Sequence, residues 1–333
     1  MNKATLRAAP PQNILLDVLK QNQGQWISGE ALAKRLSMTR SAVWKKVGIL
    51  KEEGYDIESV PHRGYRLLNI PDLLLAQEIR DRLQTTILGK QDIYRYASTD
   101  STNNRAKELA AQGAAEGVLV IAEEQAHGRG RLDRPWFSPG GENIYASFIL
   151  RPSLPPSTAS RMVLLTAVAA AEALMETTGL RATIKWPNDI LVNGRKIVGI
   201  LLEMSVEMDA IDYMIVGLGI NVNSSAERFP RNSRKNITSV LMETGKPFSR
   251  VHLLVRFLEL FEERYNALED SGFKPVIARW KTLTDIMGKK ATIKTLNGSY
   301  QGVITDMDHD GFLIIRNDQG SETRLFSGDI TIT

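Results

Sequence analysis

Two short segments in the middle of the chain bring cations and glycines together. The first, residues 125–141, contains the run Gly128-Arg-Gly-Arg131 and, a few residues later, Trp136. Glycine allows a backbone to approach a ligand closely, and arginine presents a planar fork of donors that suits carboxylate and phosphate groups. Trp136 could close over an apolar ligand. A flexible surface loop can have a similar composition. The lysines that follow the segment in the sequence favour a functional loop over that alternative.

The second segment, residues 185–199, contains an Asn-Gly pair between two apolar runs, which is the strongest short signal for a β-hairpin. With a two-residue loop, Leu191 pairs with Lys196 and Asp189 pairs with Val198. Because side chains alternate across a sheet, these four share one face. A carboxylate and an ammonium so close on an otherwise apolar face predict either a buried ion pair or part of a functional site.

Residues that the sequence lacks exclude several classes of reaction at these groups. The chain of 333 residues has no cysteine, which excludes disulfides, thiolate metal sites and cysteine nucleophiles, and its four histidines show no metal-ligand spacing. The sequence shows no recognisable Ser-His-Asp triad of the kind used by serine hydrolases. Several cations in a glycine-rich, apolar setting suit phosphoryl or nucleotidyl transfer, in which the protein positions the reactants and neutralises charge that develops on phosphorus. A substrate carboxylate can attack ATP directly, so no enzyme nucleophile is required.

Strands and helices alternate around these segments. We predict strands at 118–122 and 144–150, the second half-buried, a buried helix at 159–178, and a further extended stretch from residue 184. Turns recur after residue 288 with short apolar runs between them, which predicts a small antiparallel barrel. We find no apolar run long enough to span a membrane and no signal-peptide core at the N-terminus, so we expect a cytoplasmic protein.

The first 70 residues predict a winged helix-turn-helix. Helical apolar spacing begins at Ile14, Ser28 fits an N-cap, a break at 37–39 precedes a second helix, and two extended stretches follow around a tip at 61–64. This part carries 11 Lys/Arg and six Asp/Glu, whereas the whole chain has a net charge of +4, so the basic excess lies entirely here. Such asymmetry indicates contact with nucleic acid. A small helical domain that binds protein is the alternative. The predicted DNA contacts are Arg40, Ser41, Trp44, Lys45 and Arg63.

Taken together, the motifs of residues 100–223 resemble those of the biotin–protein ligases and follow that family's order. The matching pieces are Asp100-Ser-Thr-Asn103, Gln125 through Arg131, Trp136-Phe-Ser-Pro139, Lys185-Trp-Pro-Asn-Asp189, Gly194 through Gly199, and Gly217 through Asn223. With the two flanking parts, the resemblance covers nearly the whole chain. It implies an α+β multidomain protein: a winged helix-turn-helix at 1–70, a central α/β ligase domain with a mixed, class II synthetase-like sheet at 71–286, and an SH3-like β-barrel at 287–333.

The resemblance also implies a role for each matching residue. Biotin, ATP and their adenylate would be bound by Ser101, Thr102, Asn103, Gln125, Gly128, Arg129, Gly130, Arg131, Trp136, Lys196, Gly199 and Asn221. The catalytic group would be Arg131, Lys185, Asp189 and Lys196. Lys185 would stabilise charge on the α-phosphate, Lys196 would contact the biotin carboxyl and the phosphate, and Asp189 would orient or help to deprotonate the attacking amine. No protein metal site is implied, since Mg²⁺ would accompany ATP and be held mostly by phosphate oxygens.

The implied reaction has two steps: biotin and ATP form biotinyl-5′-adenylate, and a lysine of a biotin carboxyl carrier protein then attacks it. The winged helix implies a subgroup that also represses biotin-synthesis genes by binding operator DNA, as a homodimer when the adenylate is bound; no membrane partner is implied. Three alternatives stay open: a biotin-sensing repressor without catalysis, a lipoate or octanoate ligase, and a ligase whose N-terminal domain has no operator. One residue departs from the family: Asp133 stands where many relatives have glycine, which subtracts positive charge and stiffens the loop.

Overall fold

A computed structural model describes residues 14–332 of the protein. The first residues of the chain, interpreted above as lacking a signal-peptide core, lie outside the described range.

The N-terminal part is a winged helix-turn-helix, as the sequence predicts. Its elements are α1 (Ile14–Gln21), α2 (Gly29–Arg35), α3 (Arg40–Glu52), β1 (Asp56–Val60) and β2 (Gly64–Asn69). Ser28 caps α2, since its side chain accepts a hydrogen bond from the Ala31 N–H at 3.0 Å. The apolar stripe of α3, formed by Val43, Val47 and Leu50, is buried in a core separate from that of the rest of the molecule.

Seven strands form the central sheet. They are β3 (Ile93–Tyr96), β4 (Leu119–Ala122), β5 (Ile144–Leu150), β6 (Ala182–Lys185), β7 (Asp189–Val192), β8 (Arg195–Glu207) and β9 (Ala210–Ile220). Hydrogen bonds join them in the order β3-β4-β5-β9-β8-β7-β6. The β3–β4 pair is parallel and the other neighbours are antiparallel, so the sheet is mixed, as expected.

Longer and shorter helices pack around this sheet. They are α4 (Ala76–Arg82), α5 (Thr102–Ala111), α6 (Ala159–Thr178), α7 (Val240–Thr244), α8 (Arg250–Asn266), α9 (Leu268–Ser271) and α10 (Lys274–Leu283). Helix α6 has the predicted bounds. The segment Pro156–Thr178 has the length and hydropathy of a membrane span, which we did not expect from the sequence, but 72% of its apolar window is buried inside the protein. Its apolar character therefore belongs to the core.

Strand β5 is fully buried, so the prediction of a half-buried strand is wrong. All seven of its residues are buried. Phe148 lies in the main core with α6 and α8, whereas its neighbour Ile149 faces a smaller core beneath α5. Helices cover both faces of the sheet at this strand, so alternating side chains enter two apolar cores rather than a core and solvent.

The C-terminal part consists of five antiparallel strands. They are β10 (Lys290–Thr295), β11 (Gly298–Met307), β12 (Leu313–Arg316), β13 (Glu322–Leu325) and β14 (Asp329–Ile332), hydrogen-bonded in the order β13-β12-β11-β10-β14. Glycines at three of the turns between them, Gly298, Gly311 and Gly320, have positive φ, in agreement with the turns predicted after residue 288. Apolar residues such as Ile293 and Ile315 belong to the same buried cluster as the central sheet. The C-terminal strands are therefore packed against the central part rather than tethered beside it.

The β7–β8 hairpin has the predicted Asn-Gly turn, but its register departs from the prediction. The two pairs next to the turn form as expected, whereas Asp189 lies opposite Gly199 rather than Val198. A β-bulge at Ile197 inserts one extra residue and shifts all later pairs by one. Ile197 and Val198 are both buried. The predicted shared face of Asp189 and Val198 is therefore wrong, and Gly199 takes that place.

Candidate functional site

Three cavities meet beside this hairpin and the glycine-rich loop, which we define as residues 125–138. The inner cavity, of about 120 Å³, lies over the sheet. The outer cavity, of about 800 Å³, lies on the other side of Trp136 and extends to Phe229. The barrel cavity, of about 690 Å³, separates the β7–β8 hairpin from the C-terminal strands. Asp189 and Lys196 line both the inner and the barrel cavities.

The structure brings every predicted ligand-binding and catalytic residue to one of these cavities. The inner cavity is lined by Ser101, Thr102, Asn103, Gln125, Arg129, Gly130, Arg131, Trp136, Asp189, Lys196 and Gly199. Gly128 and Asn221 line the outer cavity, and Lys185 lines the barrel cavity. Asn221 is buried, and its Nδ2 donates to Thr238 O at 3.0 Å. Its amide therefore holds the segment that closes the outer cavity.

The N-terminus of α5 forms one wall of the inner cavity. Ser101 occupies its N-cap position, but the hydroxyl makes no capping bond. The Thr102 N–H donates to Gln125 Oε1 at 2.9 Å, and Ser147 Oγ on β5 lies 2.8 Å from Thr102 Oγ1 and 2.6 Å from Asn103 Oδ1. These bonds fix a set of small polar groups in one arrangement, as the recognition of a compact polar ring system requires.

Asp100, just before this helix, is stabilised as an anion. Burial alone would raise its pKa, but hydrogen bonds from Asn104, the Ser101 N–H and Thr99, with the charge of Arg105 at 2.9 Å, lower the pKa of Asp100 to about 2. These donors bind the ionised form of the carboxylate. The hydrogen bonds at the start of α5 therefore require Asp100 to remain ionised.

Glu203 on β8, which sequence reasoning missed, joins the glycine-rich loop to the sheet. Its carboxylate accepts a hydrogen bond from Arg129 Nη2 at 3.0 Å and another from Asn103 Nδ2 at 2.8 Å. Arg129 Nη2 also donates to Asn104 Oδ1 at 2.9 Å. The guanidinium of Arg129 is thus held by protein groups. Glu203 lies 74 residues from Arg129 in the sequence, and only the sheet register could have identified it.

Asp133 has a structural consequence in the same loop. Leu132 and Asp133 have φ values of 55° and 53°, a region that glycine adopts without strain. The Asp133 side chain is exposed, and its Oδ1 lies 3.3 Å from Arg129 Nη1. Asp133 and Glu203 therefore bind different nitrogens of the same guanidinium, Nη1 and Nη2.

Arg131 differs from Arg129 because no carboxylate lies within ion-pair distance of it among residues 14–332. Its Nη1 donates to Asn188 Oδ1 at 3.2 Å. Burial lowers the pKa of the Arg131 guanidinium, while Asp329 and Asp189 at longer range oppose this. A desolvated cation without a paired anion favours an anionic ligand in the inner cavity.

Asp189 and Lys196 form an ion pair, with 2.6 Å between Oδ1 and Nζ. Their side chains are 24% and 29% exposed and line the cavity, so the pair is not the fully buried ion pair that was one of the two predicted possibilities. The Lys196 Nζ also lies 5.1 Å from the centre of the Trp136 ring. An anion entering the inner cavity would meet this ammonium beside Arg131.

The C-terminal strands add an acidic group at this point. Arg134 of the glycine-rich loop pairs with Asp329 on β14, with 3.1 Å between Nη1 and Oδ1. The Arg134 guanidinium lowers the pKa of Asp329, and the charges of Arg131 and Lys185 act in the same direction. Asp329 also lines the inner cavity. The ion pair therefore joins the loop to the C-terminal part at the mouth of the site.

Trp136 separates the inner cavity from the outer cavity and lies on two glycines of the sheet. A Cβ added at Gly199 would lie 2.7 Å from the indole, and one at Gly219 would lie 2.6 Å from it. A Cβ at Gly217 would lie 2.0 Å from Asn103 Oδ1. The floor of the cavity thus requires glycine at alternate positions of β9. The indole Nε1 of Trp136 is buried and has no partner in the described part of the chain, so a donor is available for a ligand.

Two known protein families share sequence with parts of this chain. Residues 96–221 match the biotin/lipoate A/B protein ligase family, and residues 12–66 match a helix-turn-helix domain. The chain is 37% identical over 318 residues to the bifunctional ligase/repressor BirA of Bacillus subtilis, covering 96% of this chain and 97% of that protein.

The chain belongs to the biotin protein ligase family. It is 32% identical over 229 residues to the biotin–[acetyl-CoA-carboxylase] ligase of Paracoccus denitrificans, covering 68% of this chain and 95% of that protein. The solved structure of the Aquifex aeolicus biotin protein ligase in complex with biotin and ATP is similar, with a TM-score of 0.62 and 27% identity over 72% of this chain and 98% of that one. The resemblance seen in the sequence is confirmed.

Arg250 at the start of α8 is a buried cation of this ligase-family chain that sequence reasoning missed. Its guanidinium is fully buried and donates to Glu123 Oε2 at 2.8 Å and to Asn143 O at 3.0 Å. It also pairs with Asp72 in the segment that links the two parts of the chain, at 3.2 Å. Glu123 precedes the glycine-rich loop and Asn143 follows it, so one side chain holds both ends of the loop and the linker. The partners lie more than 100 residues away, and no local pattern marks them.

The predicted DNA contacts are exposed on α3 and at the tip of the wing. Arg40, Ser41, Trp44 and Lys45 are all exposed on α3. Arg63, at the wing tip, stacks its guanidinium on the Trp26 ring with 4.6 Å to the centroid. The helix and wing are therefore both available to a duplex, as the helix-turn-helix reading requires.

Proposed function

We propose that the protein joins biotin to a lysine of a biotin carboxyl carrier protein through biotinyl-5′-adenylate, and that it represses transcription through its winged helix. The proposed division of these tasks is DNA binding at 1–70, ligation at 71–286 and a C-terminal cap at 287–333. Full-length similarity to a bifunctional ligase/repressor supports both tasks together.

The observation that carries the ligase proposal is that two neighbouring cavities, separated by Trp136, lie beside a cluster of cations. The inner cavity would take biotin, and the outer cavity would take the adenosine of ATP. The biotin carboxylate and the α-phosphate would then meet at Arg131 and Lys196, which neutralise the charge that develops on the phosphate oxygens. Magnesium would arrive with ATP; among residues 14–332 no cluster of three or more His, Cys, Asp or Glu could hold a metal.

The second step would occur where the barrel cavity opens beside Asp189. A lysine amine must lose a proton to attack the mixed anhydride, and the Asp189 carboxylate beside Lys196 would orient that amine or accept its proton. Lys185, which lines the same cavity, would stabilise charge on the phosphate during adenylation. A closed glycine-rich loop would keep water from the hydrolysable adenylate.

The test is a mass-spectrometric assay with biotin, ATP, magnesium and a biotin carrier domain. We expect a biotin-sized mass gain on the carrier that is lost in Lys185→Ala and retained in Lys107→Ala, a matched lysine exposed on α5. A gain from lipoic acid instead of biotin would show a lipoate ligase. Biotin binding without any gain would show a sensor without catalysis.

The repressor would act as a homodimer formed when biotinyl-adenylate is bound. The adenylate would order the glycine-rich loop and the segment around 222–236, and the dimer would place two winged helices on an operator with two half-sites. Equilibrium sedimentation at micromolar protein, with and without biotin and ATP, tests this: an unchanged mass would contradict adenylate-driven dimerisation. A gel shift with the promoter of the biotin-synthesis genes tests whether the N-terminal part has an operator.

A further inference from the structure

The exposed face of α3 carries two residues that the fold does not explain. Trp44 is the one aromatic residue of α3, it is 70% exposed, and it lies beside Ser41 and Lys45. Burying a tryptophan side chain is strongly favourable, and this one lies among cations on one helix face, which makes it a candidate contact for a partner. Helical spacing of three and four residues places Ser41, Trp44, Lys45 and Gly48 side by side.

Gly48 lies in the interior of α3 and has no neighbour that requires it. A Cβ added there would meet no atom within 4 Å, and its φ is not in the left-handed region. Glycine is among the least favourable residues in a helix interior, because it loses the most backbone freedom on folding. Neither packing nor backbone geometry accounts for it, so a close approach from outside the domain is the remaining physical reason.

The charges around this face identify the class of partner. Arg40, Lys45 and Lys46 are exposed on α3, and its first turn has no acidic residue. Arg63 adds a guanidinium on the Trp26 ring beside the wing, whereas the neighbouring Arg66 is paired with Glu58 on β1. A partner that matches a cationic face with an apolar centre is polyanionic and has apolar groups between its charges. The major groove of DNA has this character, because each thymine places a methyl group on the groove floor.

We infer that Trp44 reads thymine methyl groups in the major groove, and that the missing side chain at Gly48 lets the helix approach the duplex closely enough for that contact. The inference rests on the proposed repressor function and adds what that function leaves open, namely which base feature the helix recognises. The cations would position the helix on phosphates, and the indole would supply the base discrimination.

Replacing thymine by uracil in the DNA tests this directly, because uracil lacks only the methyl group. The probe is a duplex selected from a random library by the full-length protein with biotin, ATP and magnesium, then synthesised with thymine or with uracil. Removing one buried methyl weakens an apolar contact by about fourfold in the dissociation constant. We therefore expect the wild-type protein to bind the uracil duplex at least about fourfold more weakly.

The control variants separate this contact from general effects on DNA or on folding. Trp44→Ala should bind thymine and uracil duplexes equally, whereas Ile14→Ala, an exposed apolar change on α1, should keep the wild-type preference. Gly48→Ala should unfold at the same or a higher temperature than the wild type and still bind the duplex more weakly. A gain in helix stability with a loss of binding cannot come from misfolding.

Other results would contradict the methyl contact, the close approach at Gly48 or the repressor function. Equal wild-type binding of both duplexes, or an unchanged preference in Trp44→Ala, would refute the methyl contact. Undiminished binding by Gly48→Ala would refute the close approach. No duplex selected by the wild-type protein would refute the repressor function itself, which is a different result from the first two.

Discussion

Gly219→Ala tests whether Trp136 forms the wall between the two cavities. The substitution adds one methyl group to β9, where the backbone has no positive φ, so its effect is steric. The new Cβ would lie 2.6 Å from the indole Cε2 and Nε1, about 1 Å closer than an ordinary contact between heavy atoms. Either the ring or the strand must move.

The ring is expected to move, because β9 lies in the middle of the sheet whereas the glycine-rich loop lies at the surface. Overpacking of this kind costs about 1–3 kcal/mol. The free protein can relieve it by letting the loop open, so the cost would fall on ligand binding, which needs the wall in place. A cost of about 1–3 kcal/mol corresponds to a biotin dissociation constant raised about 5- to 150-fold.

Isothermal titration of biotin into the wild type, Gly219→Ala and Gly140→Ala measures this. Gly140 is a suitable control because it lies just beyond the same loop and a Cβ there would be 3.7 Å from its nearest neighbour. We expect Gly140→Ala to bind biotin as the wild type does. If Gly219→Ala also binds biotin normally and unfolds at the wild-type temperature, the indole does not lie on Gly219 and the division into two cavities is wrong.

Three further predictions concern the polar groups around the site. Glu203→Gln removes the charge that holds Arg129, so the biotin dissociation constant should rise about tenfold in the same titration, a loss of about 1.4 kcal/mol that is typical of one charged hydrogen bond; an unchanged value would contradict the anchoring role. Arg250→Met leaves the buried Glu123 carboxylate without its main partner and should lower the free energy of unfolding by about 3–5 kcal/mol, measured by urea denaturation; a loss below about 1 kcal/mol would contradict it. The pKa of Asp100 is lowered from 3.8 to about 2 in the folded protein, so its carboxylate stabilises the fold above pH 4 and this stabilisation is lost as the pH falls toward 2. After discounting for partial exposure, the contribution to the free energy of unfolding is about 1 kcal/mol. Asp100→Asn should therefore reduce the dependence of the unfolding free energy on pH between 4 and 2.

Local patterns in the sequence predicted most of the elements. The bounds of α6, the Ser28 cap of the helix-turn-helix and the glycine turns of the C-terminal strands depend on residues within a few positions of each other. Ordered motifs predicted which residues would line the cavities. The full burial of β5 could not be predicted this way. The alternation of residue types along a strand shows that one face is apolar, but it does not show whether the other face meets solvent or a helix such as α5.

Contacts across long sequence separations were missed for a different reason. Glu203 and Arg250 bind partners that are distant in the sequence, and neither lies in a recognisable motif. A carboxylate on a strand or an arginine at the start of a helix is an ordinary surface residue until the sheet order is known. Charged residues of this kind are identified by the fold, because burial makes their pairing obligatory.

The β7–β8 hairpin shows how a single residue limits a prediction from sequence. The Asn-Gly turn fixes the first two pairs, and from there strict alternation places Val198 beside Asp189. The bulge at Ile197 changes every later position, so that a valine enters the core and Gly199 faces the cavity. Had the regular register held, the Val198 side chain would occupy the space where Trp136 now contacts Gly199 at close range. The site therefore depends on the bulge as much as on the residues of its motif, since the same residues in the regular register would fill the cavity.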